Sequence, residues 1–176
     1  MQILSMLFLA AALVGGVICL GHLCWADLRH RDEFHLRFSE IQCQPPPGMT
    51  RREFIEEVQY FAGLGDRLEV LDAELSRKLE RAFRKHPWVE SASIDWTGKP
   101  LVVRANLTFR RPVLAVPSEG KLLAVDGRGI RLPNSAPTDG LPVFDGAAPP
   151  PRGAPGYRWG DAAVERKAYA LAVTPR

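Results

Sequence analysis

The alternation of apolar and polar positions predicts a mixed unit of strands and helices over residues 34–111. Residues 34–41 largely alternate, which is typical of a strand. Two helical patterns follow, and then two long alternating runs at 88–96 and 101–109 with a turn at 97–100, which predict an antiparallel hairpin. The predicted order is β-α-α-β-β, and the simplest packing lays both helices on one face of a three-stranded sheet.

The two predicted helices have recognisable ends. Thr50 is a good N-cap and Glu53 completes a capping box, while Gly63 ends the first helix. Asp72 is the predicted cap of the second helix, and Pro87 closes it. The apolar residues of each helix share one face, namely Phe54, Ile55, Val58, Phe61 and Ala62 in the first and Leu71, Leu75, Leu79, Ala82 and Phe83 in the second.

Residues 113–146 predict a short, partial β region. The runs 113–116, 121–125, 130–132 and 141–144 are apolar and are separated by turn sequences. Residues 147–160 are rich in proline and glycine, which predicts a loop. Residues 162–173 predict a final helix, so that 147–176 reads as a loop followed by a C-terminal helix.

An uncharged stretch at the start of the chain predicts a transmembrane helix over residues 3–25, because a helix needs about 20 apolar residues to cross a bilayer. A polar linker over 26–33 follows. No basic residue precedes the stretch, which argues against a cleaved signal peptide. Arg29, Arg31 and Arg37 follow it, and the positive-inside rule applied alone would place the folded part in the cytoplasm.

Composition and charge argue against several function classes. The net charge of +3 is too small to indicate a nucleic-acid-binding protein. The three cysteines and four histidines show neither a disulfide framework nor metal-ligand spacing. No phosphate-binding glycine loop and no serine nucleophile elbow is present. We therefore expect no catalysis, no cofactor, no metal and no small-molecule substrate.

Five short motifs in order resemble the FtsQ/DivIB family of bacterial cell-division proteins, in which a membrane helix precedes a POTRA domain. They stand at 86–94 (HPWVESASI), 100–103 (PLVV), 110–115 (RRPVLA), 122–129 (LLAVDGRG) and 141–146 (LPVFDG). The resemblance implies an α+β fold with a transmembrane helix, a POTRA-like domain over 34–112 and a β region over 113–146. It also implies a scaffold of the septum machinery in the inner membrane, which binds the bilayer and other division proteins, with its folded part outside the cytoplasm.

The sequence departs from the family pattern in three ways. Arg110 stands near where the family has Glu. The family's β region continues beyond the point that corresponds to Arg176, so its contact with FtsB and FtsL is not carried over to this chain. The arginines after residue 25 favour the opposite topology to that of the family.

The resemblance implies that the POTRA unit works through an exposed strand edge, which a partner strand can complete, and through a helix groove. The residues expected to meet a partner are Arg104, Asn106, Thr108, Arg110 and Arg128. The alternatives are an anchored POTRA-like module of protein secretion or outer-membrane assembly, and an unrelated anchored domain.

Overall fold

The computed structural model describes residues 12–21, 35–98 and 102–174. The chain is α+β, as predicted, with helices and small antiparallel sheets. Its elements in chain order are α1 over 12–21, β1 (His35–Arg37), a 3₁₀ turn (Phe38–Glu40), α2 (Arg51–Ala62), β2 (Arg67–Glu69), α3 (Leu75–Lys85), β3 (Val89–Thr97), β4 (Val102–Phe109), β5 (Pro112–Ser118), β6 (Lys121–Asp126) and α4 (Ala162–Val173).

The predicted transmembrane helix over 3–25 and the linker over 26–33 lie mostly outside the described residues. The part of this stretch that is described, 12–21, is helical. Within 12–21, 35–98 and 102–174, no helix has both the length and the apolar character that crossing a membrane requires.

Helix α2 begins and ends where the sequence predicts. Thr50 Oγ accepts the backbone N–H of Glu53, whose carboxylate accepts the N–H of Thr50 at 2.9 Å, so the capping box is confirmed. Gly63 ends the helix at φ +66°, a left-handed conformation that suits glycine. Phe61 departs from the predicted buried face: it lies in the last turn, and 44% of it is exposed.

Helix α3 keeps its predicted apolar stripe but not its predicted cap. Leu75, Leu79, Ala82 and Phe83 are all buried, whereas Leu71, which is predicted to share their face, lies before the helix and is half-buried. The helix begins at Leu75 after Glu74, and the Asp72 carboxylate instead accepts the N–H of Glu74 at 2.9 Å. Asp72 therefore caps the turn that leads into the helix, because the backbone becomes helical two residues later than the pattern indicates.

The three-stranded sheet differs from the prediction. The first strand is short, and β1 pairs antiparallel with β2, a strand that the sequence does not indicate because only Leu68 within it is buried. The chain then reaches the hairpin at Gln42 alone, which forms a parallel bridge to Arg104. The strand predicted over 34–41 therefore does not join the hairpin as a third strand, and only the bridge at Gln42 lies on the edge of β4.

The β3–β4 hairpin carries the core of the first unit on one face. Ala92, Ile94 and Trp96 oppose Leu107, Ala105 and Val103 in register, as the alternation predicts. Against this face pack the buried helix residues and a group of aromatic rings: Phe38, Phe54 and Phe83. The opposite face of the hairpin points to solvent.

The second unit is built on the β5–β6 hairpin. Residues on either side extend it through single bridges, Ala115 to Val143 and Val125 to Arg131. Helix α4 occupies the residues predicted for it and covers the hairpin with Val164 and Ala168. Gly129, at φ +75°, lies so close to this helix that a Cβ would stand 2.5 Å from Glu165 Cγ.

Buried contacts hold the second unit against the first. Trp88, immediately before β3, packs with Ala124 and Leu132 of the second unit. Arg110, immediately after β4, donates from Nη1 to Asp126 Oδ2 at 3.0 Å, and both side chains are largely buried. The other carboxylate oxygen of Asp126 accepts the N–H of Ile130 at 2.8 Å, so this aspartate fixes its own turn as well as the junction.

Replacing Asp126 with Ala should lower the free energy of unfolding by about 3–5 kcal/mol, because it leaves the Arg110 guanidinium buried without a counter-charge. Urea unfolding measures the change. The control is Asp145→Ala, whose carboxylate is 83% exposed and 4.0 Å from Lys167, and which should change stability by less than about 0.5 kcal/mol. Equal losses in the two variants would contradict the role assigned to the junction.

Candidate functional site

The outer edge of β4 is only partly covered. Gln42 donates to Val103 O at 2.9 Å and accepts from Ala105 N at 2.8 Å. Arg51 fixes the approach to this bridge, because its guanidinium donates to the carbonyls of Ser39 and Ile41. The prolines at 45–47 then lead the chain away from the strand, which leaves an open notch of about 490 Å³ lined by residues 42–44 and 104–107.

Backbone groups of β4 face this notch. In a strand, alternate residues direct both N–H and C=O to the same edge. The bridge to Gln42 shows that Val103 and Ala105 point outward, and Leu107 therefore does so too. No hydrogen bond from another segment within 35–98 or 102–174 reaches the N–H or C=O of Leu107. A partner strand could extend the sheet at this point.

Three of the five residues predicted to meet a partner lie together. Arg104, Asn106 and Thr108 alternate along β4 on the exposed face of the hairpin. The Asn106 amide donates to the carboxylate of Asp95 on β3. These side chains flank the open edge, and their role in binding stays a prediction.

The other two predicted residues lie elsewhere, at the junction of the units. Arg110 is engaged with Asp126. Arg128 Nη2 lies 3.3 Å from Glu90 Oε1, and its side chain is 68% exposed. The structure therefore does not bring all five residues into one patch.

Cys43 lines the notch but is not a strong nucleophile. Burial raises the pKa of its thiol to about 11, and nearby Arg51 only partly opposes this effect. The thiol therefore stays protonated near neutral pH. Among the described residues, no three His, Cys, Asp or Glu side chains are close enough to hold a metal ion.

His86 is a buried polar residue whose environment the sequence did not indicate. Its Nδ1 accepts the N–H of Trp88 at 3.3 Å, so Nε2 carries the proton and donates to Glu57 Oε2 at 3.0 Å. The ring also contacts Phe54 and Phe61 edge-on. Burial lowers the pKa of His86 from its ordinary value, although the bond to Glu57 and its charge oppose the shift.

In the sequence, His86 stands at the end of the second predicted helix. This position predicts a cation on the surface and does not indicate a buried, neutral ring. Nothing local in the sequence pairs it with Glu57, because 29 positions separate the two. The contact arises only when α2 and α3 pack together.

Comparison with known proteins finds a relative among the cell-division proteins. The cell division protein FtsQ of Anaeromyxobacter sp. (strain K) is 35% identical to the chain in an alignment of 144 residues that covers 78% of this chain and 44% of that relative. The chain belongs to the FtsQ/DivIB family. No family model and no solved structure matches it.

Membership of the FtsQ/DivIB family confirms the resemblance that the five motifs indicate. The chain spans less than half the length of the FtsQ relative. The regions of the FtsQ relative outside the alignment therefore give no information about the surfaces described above.

The buried His86 should make stability depend on pH. Above its ordinary pKa of 6.5 the ring is neutral whether the chain is folded or not. As the pH falls below 6.5, the unfolded chain binds a proton that the folded chain does not, so the free energy of unfolding falls by up to about 1.4 kcal/mol per pH unit until the lower folded pKa is passed.

Urea unfolding at a series of pH values tests this expectation. The variant His86→Gln, which cannot titrate at this position, should be less stable overall but should lose less stability on acidification than the wild type. The difference between the two chains removes the contribution of all other groups. Identical pH dependences would show that His86 is not held neutral by the fold.

Proposed function

We propose that the chain is a membrane-anchored, non-catalytic scaffold of the bacterial cell-division machinery that binds other division proteins. Membership of the FtsQ/DivIB family and the name of the FtsQ relative support the cell-division role. The predicted helix over 3–25 is the proposed anchor in the inner membrane. The anchor confines the folded part to a thin layer and so raises the effective concentration of partners in the same membrane.

The open edge of β4 is the observation that carries the binding proposal. The first unit has the two helices and the hairpin that the sequence predicts, with the added strand β2, and this arrangement supports the proposal of a POTRA-like domain. Its outer edge offers the N–H and C=O of Leu107 beside an open notch of about 490 Å³. Backbone hydrogen bonds would supply affinity there, and Arg104, Asn106 and Thr108 would supply specificity.

The exposed face next to the edge suits a polar partner strand. Arg104 and Asn106 lie opposite Asp95 and Ser93 in the register of the hairpin, so the face presents both charge signs and neutral hydrogen-bonding groups. Charged side chains on an edge also hinder uncontrolled pairing between copies of the same strand. The edge is therefore protected against self-association but remains open to a matched partner.

Replacing Leu107 with Pro should abolish strand addition at β4, because it removes the outward N–H while leaving the hydrogen bonds to β3 in place. Co-purification of the host's division proteins with the tagged full chain, identified by mass spectrometry, measures the loss. Circular dichroism checks that the variant remains folded.

The matched control is Leu122→Pro. Leu122 lies on β6, where the outward groups of Ala124 and Asp126 show that its own N–H also points away from the partner strand. The control makes the same substitution on an exposed edge of the other hairpin, and co-purification should persist. Retention of every division partner by a folded Leu107→Pro chain would refute the edge proposal.

Alkaline phosphatase fused after Arg176 should be active if the folded part lies outside the cytoplasm, since the enzyme needs an oxidising compartment to form its disulfides. A cytoplasm-only fluorescent reporter at the same position should then stay dark. The opposite pair of results would place the folded part in the cytoplasm, as the charges at Arg29, Arg31 and Arg37 favour. Mid-cell enrichment of a tagged chain separates division from secretion.

A further inference from the structure

We propose that a groove between the end of α3 and the 154–157 loop binds an acidic segment of a partner protein that also carries an apolar side chain. The groove has a volume of about 560 Å³ and lies where the two units meet. Binding sites occur preferentially at such junctions. Its walls are formed by Phe61, residues 84–87, Arg110 and residues 154–157.

The groove lining carries positive charge. Arg84 and Lys85 are exposed at the end of α3, and neither has an ion-pair partner among the described residues. No Asp or Glu is among the lining residues. The two acids that bind lining residues of the groove are Glu57, which is paired with His86, and Asp126, which is paired with Arg110. A carboxylate that enters the groove therefore meets two uncommitted cations.

Arg110 provides a second, independent observation. Its Nη1 binds Asp126, but its Nε is buried and has no hydrogen-bond partner within the described part of the chain. A buried donor without an acceptor costs about 1–3 kcal/mol. The wall of the groove thus contains a guanidinium that a further acceptor would stabilise.

Two aromatic side chains flank these charges. Phe61 is 44% exposed and Tyr157 is 67% exposed, and they come from opposite walls. Exposed aromatic residues next to cations favour a ligand that combines a carboxylate with an apolar or aromatic group. Two free cations are too few for a nucleic-acid surface, and a basic segment would be repelled. An acidic, partly apolar peptide fits the groove best.

This inference rests on the proposed function, since it names the chemistry of a second protein partner. The proposals for the groove and for the β4 edge can nevertheless be refuted independently of each other. The edge uses the backbone of Leu107, whereas the groove uses the side chains of Arg84 and Lys85. A Leu107→Pro chain should bind the groove ligand as tightly as the wild type does.

The probe is a fluorescent synthetic peptide in which Asp and Glu alternate with Phe, and binding to the full chain in detergent is measured by anisotropy. The double variant Arg84→Glu/Lys85→Glu should weaken binding by at least about tenfold, and added salt should weaken binding to the wild type. The control is Arg81→Glu, a charge reversal at one residue on the exposed face of the same helix but outside the groove, which should keep wild-type affinity. A peptide with Lys in place of Asp and Glu should not bind.

Three results would overturn the proposal. The acidic peptide does not bind the wild-type chain, or it binds the double variant as tightly as the wild type, or Arg81→Glu weakens binding as much as the double variant does. A further experiment measures whether vesicles of phosphatidylglycerol bind the chain when it is reconstituted in neutral lipid. If they, and not the peptide, recruit the chain through Arg84 and Lys85, the groove is a lipid headgroup site and the peptide proposal is wrong.

Discussion

The buried ion pair between Arg110 and Asp126 is the contact on which the arrangement of the two units depends. Only Arg110 and Arg111 separate β4 from β5, so the connection itself is short, but a short connection does not by itself fix an angle. Asp126 does so, because it binds Arg110 across the junction while it also accepts backbone N–H groups of its own turn. Backbone hydrogen bonds to Arg131 attach the 154–157 loop to the second unit. The ion pair and Trp88 hold that unit against the first, where Gly156 lies close to Pro87 and forms one side of the groove beside α3.

The two proposed surfaces differ in the kind of interaction they offer. At the β4 edge the binding groups are amides, which any extended segment can match, so selectivity must come from neighbouring side chains. In the groove the binding groups are charges and aromatic rings, which reject most sequences outright. A scaffold that has both surfaces can bind the backbone of one partner at the strand edge. It can select a second partner in the groove by the charged and apolar side chains which that partner carries.

Local chemistry made much of the fold predictable. The capping box at Thr50, the stripe of α3 and the alternation along β4 each depend on a few neighbouring residues, and all three agree with the structure. Strand β2 could not be predicted, because three residues with one buried side chain carry no periodic signal and pair only with a distant segment. The groove was missed for the same reason: Phe61, Arg84 and Tyr157 come together only through the packing of separate elements.

The single bridge at Gln42 gives the first unit an unequal resistance to force. Its two hydrogen bonds to β4 contribute about 1–3 kcal/mol together, far less than the continuous ladder between β3 and β4. Tension that enters from the N-terminal side must separate β1 from β2 and pull the buried side chains of Phe38 and Ile41 out of the core before it reaches Gln42. Release of Gln42 would expose the outward backbone groups of Val103 and Ala105 in addition to those of Leu107, so that the strand available to a neighbour would become longer.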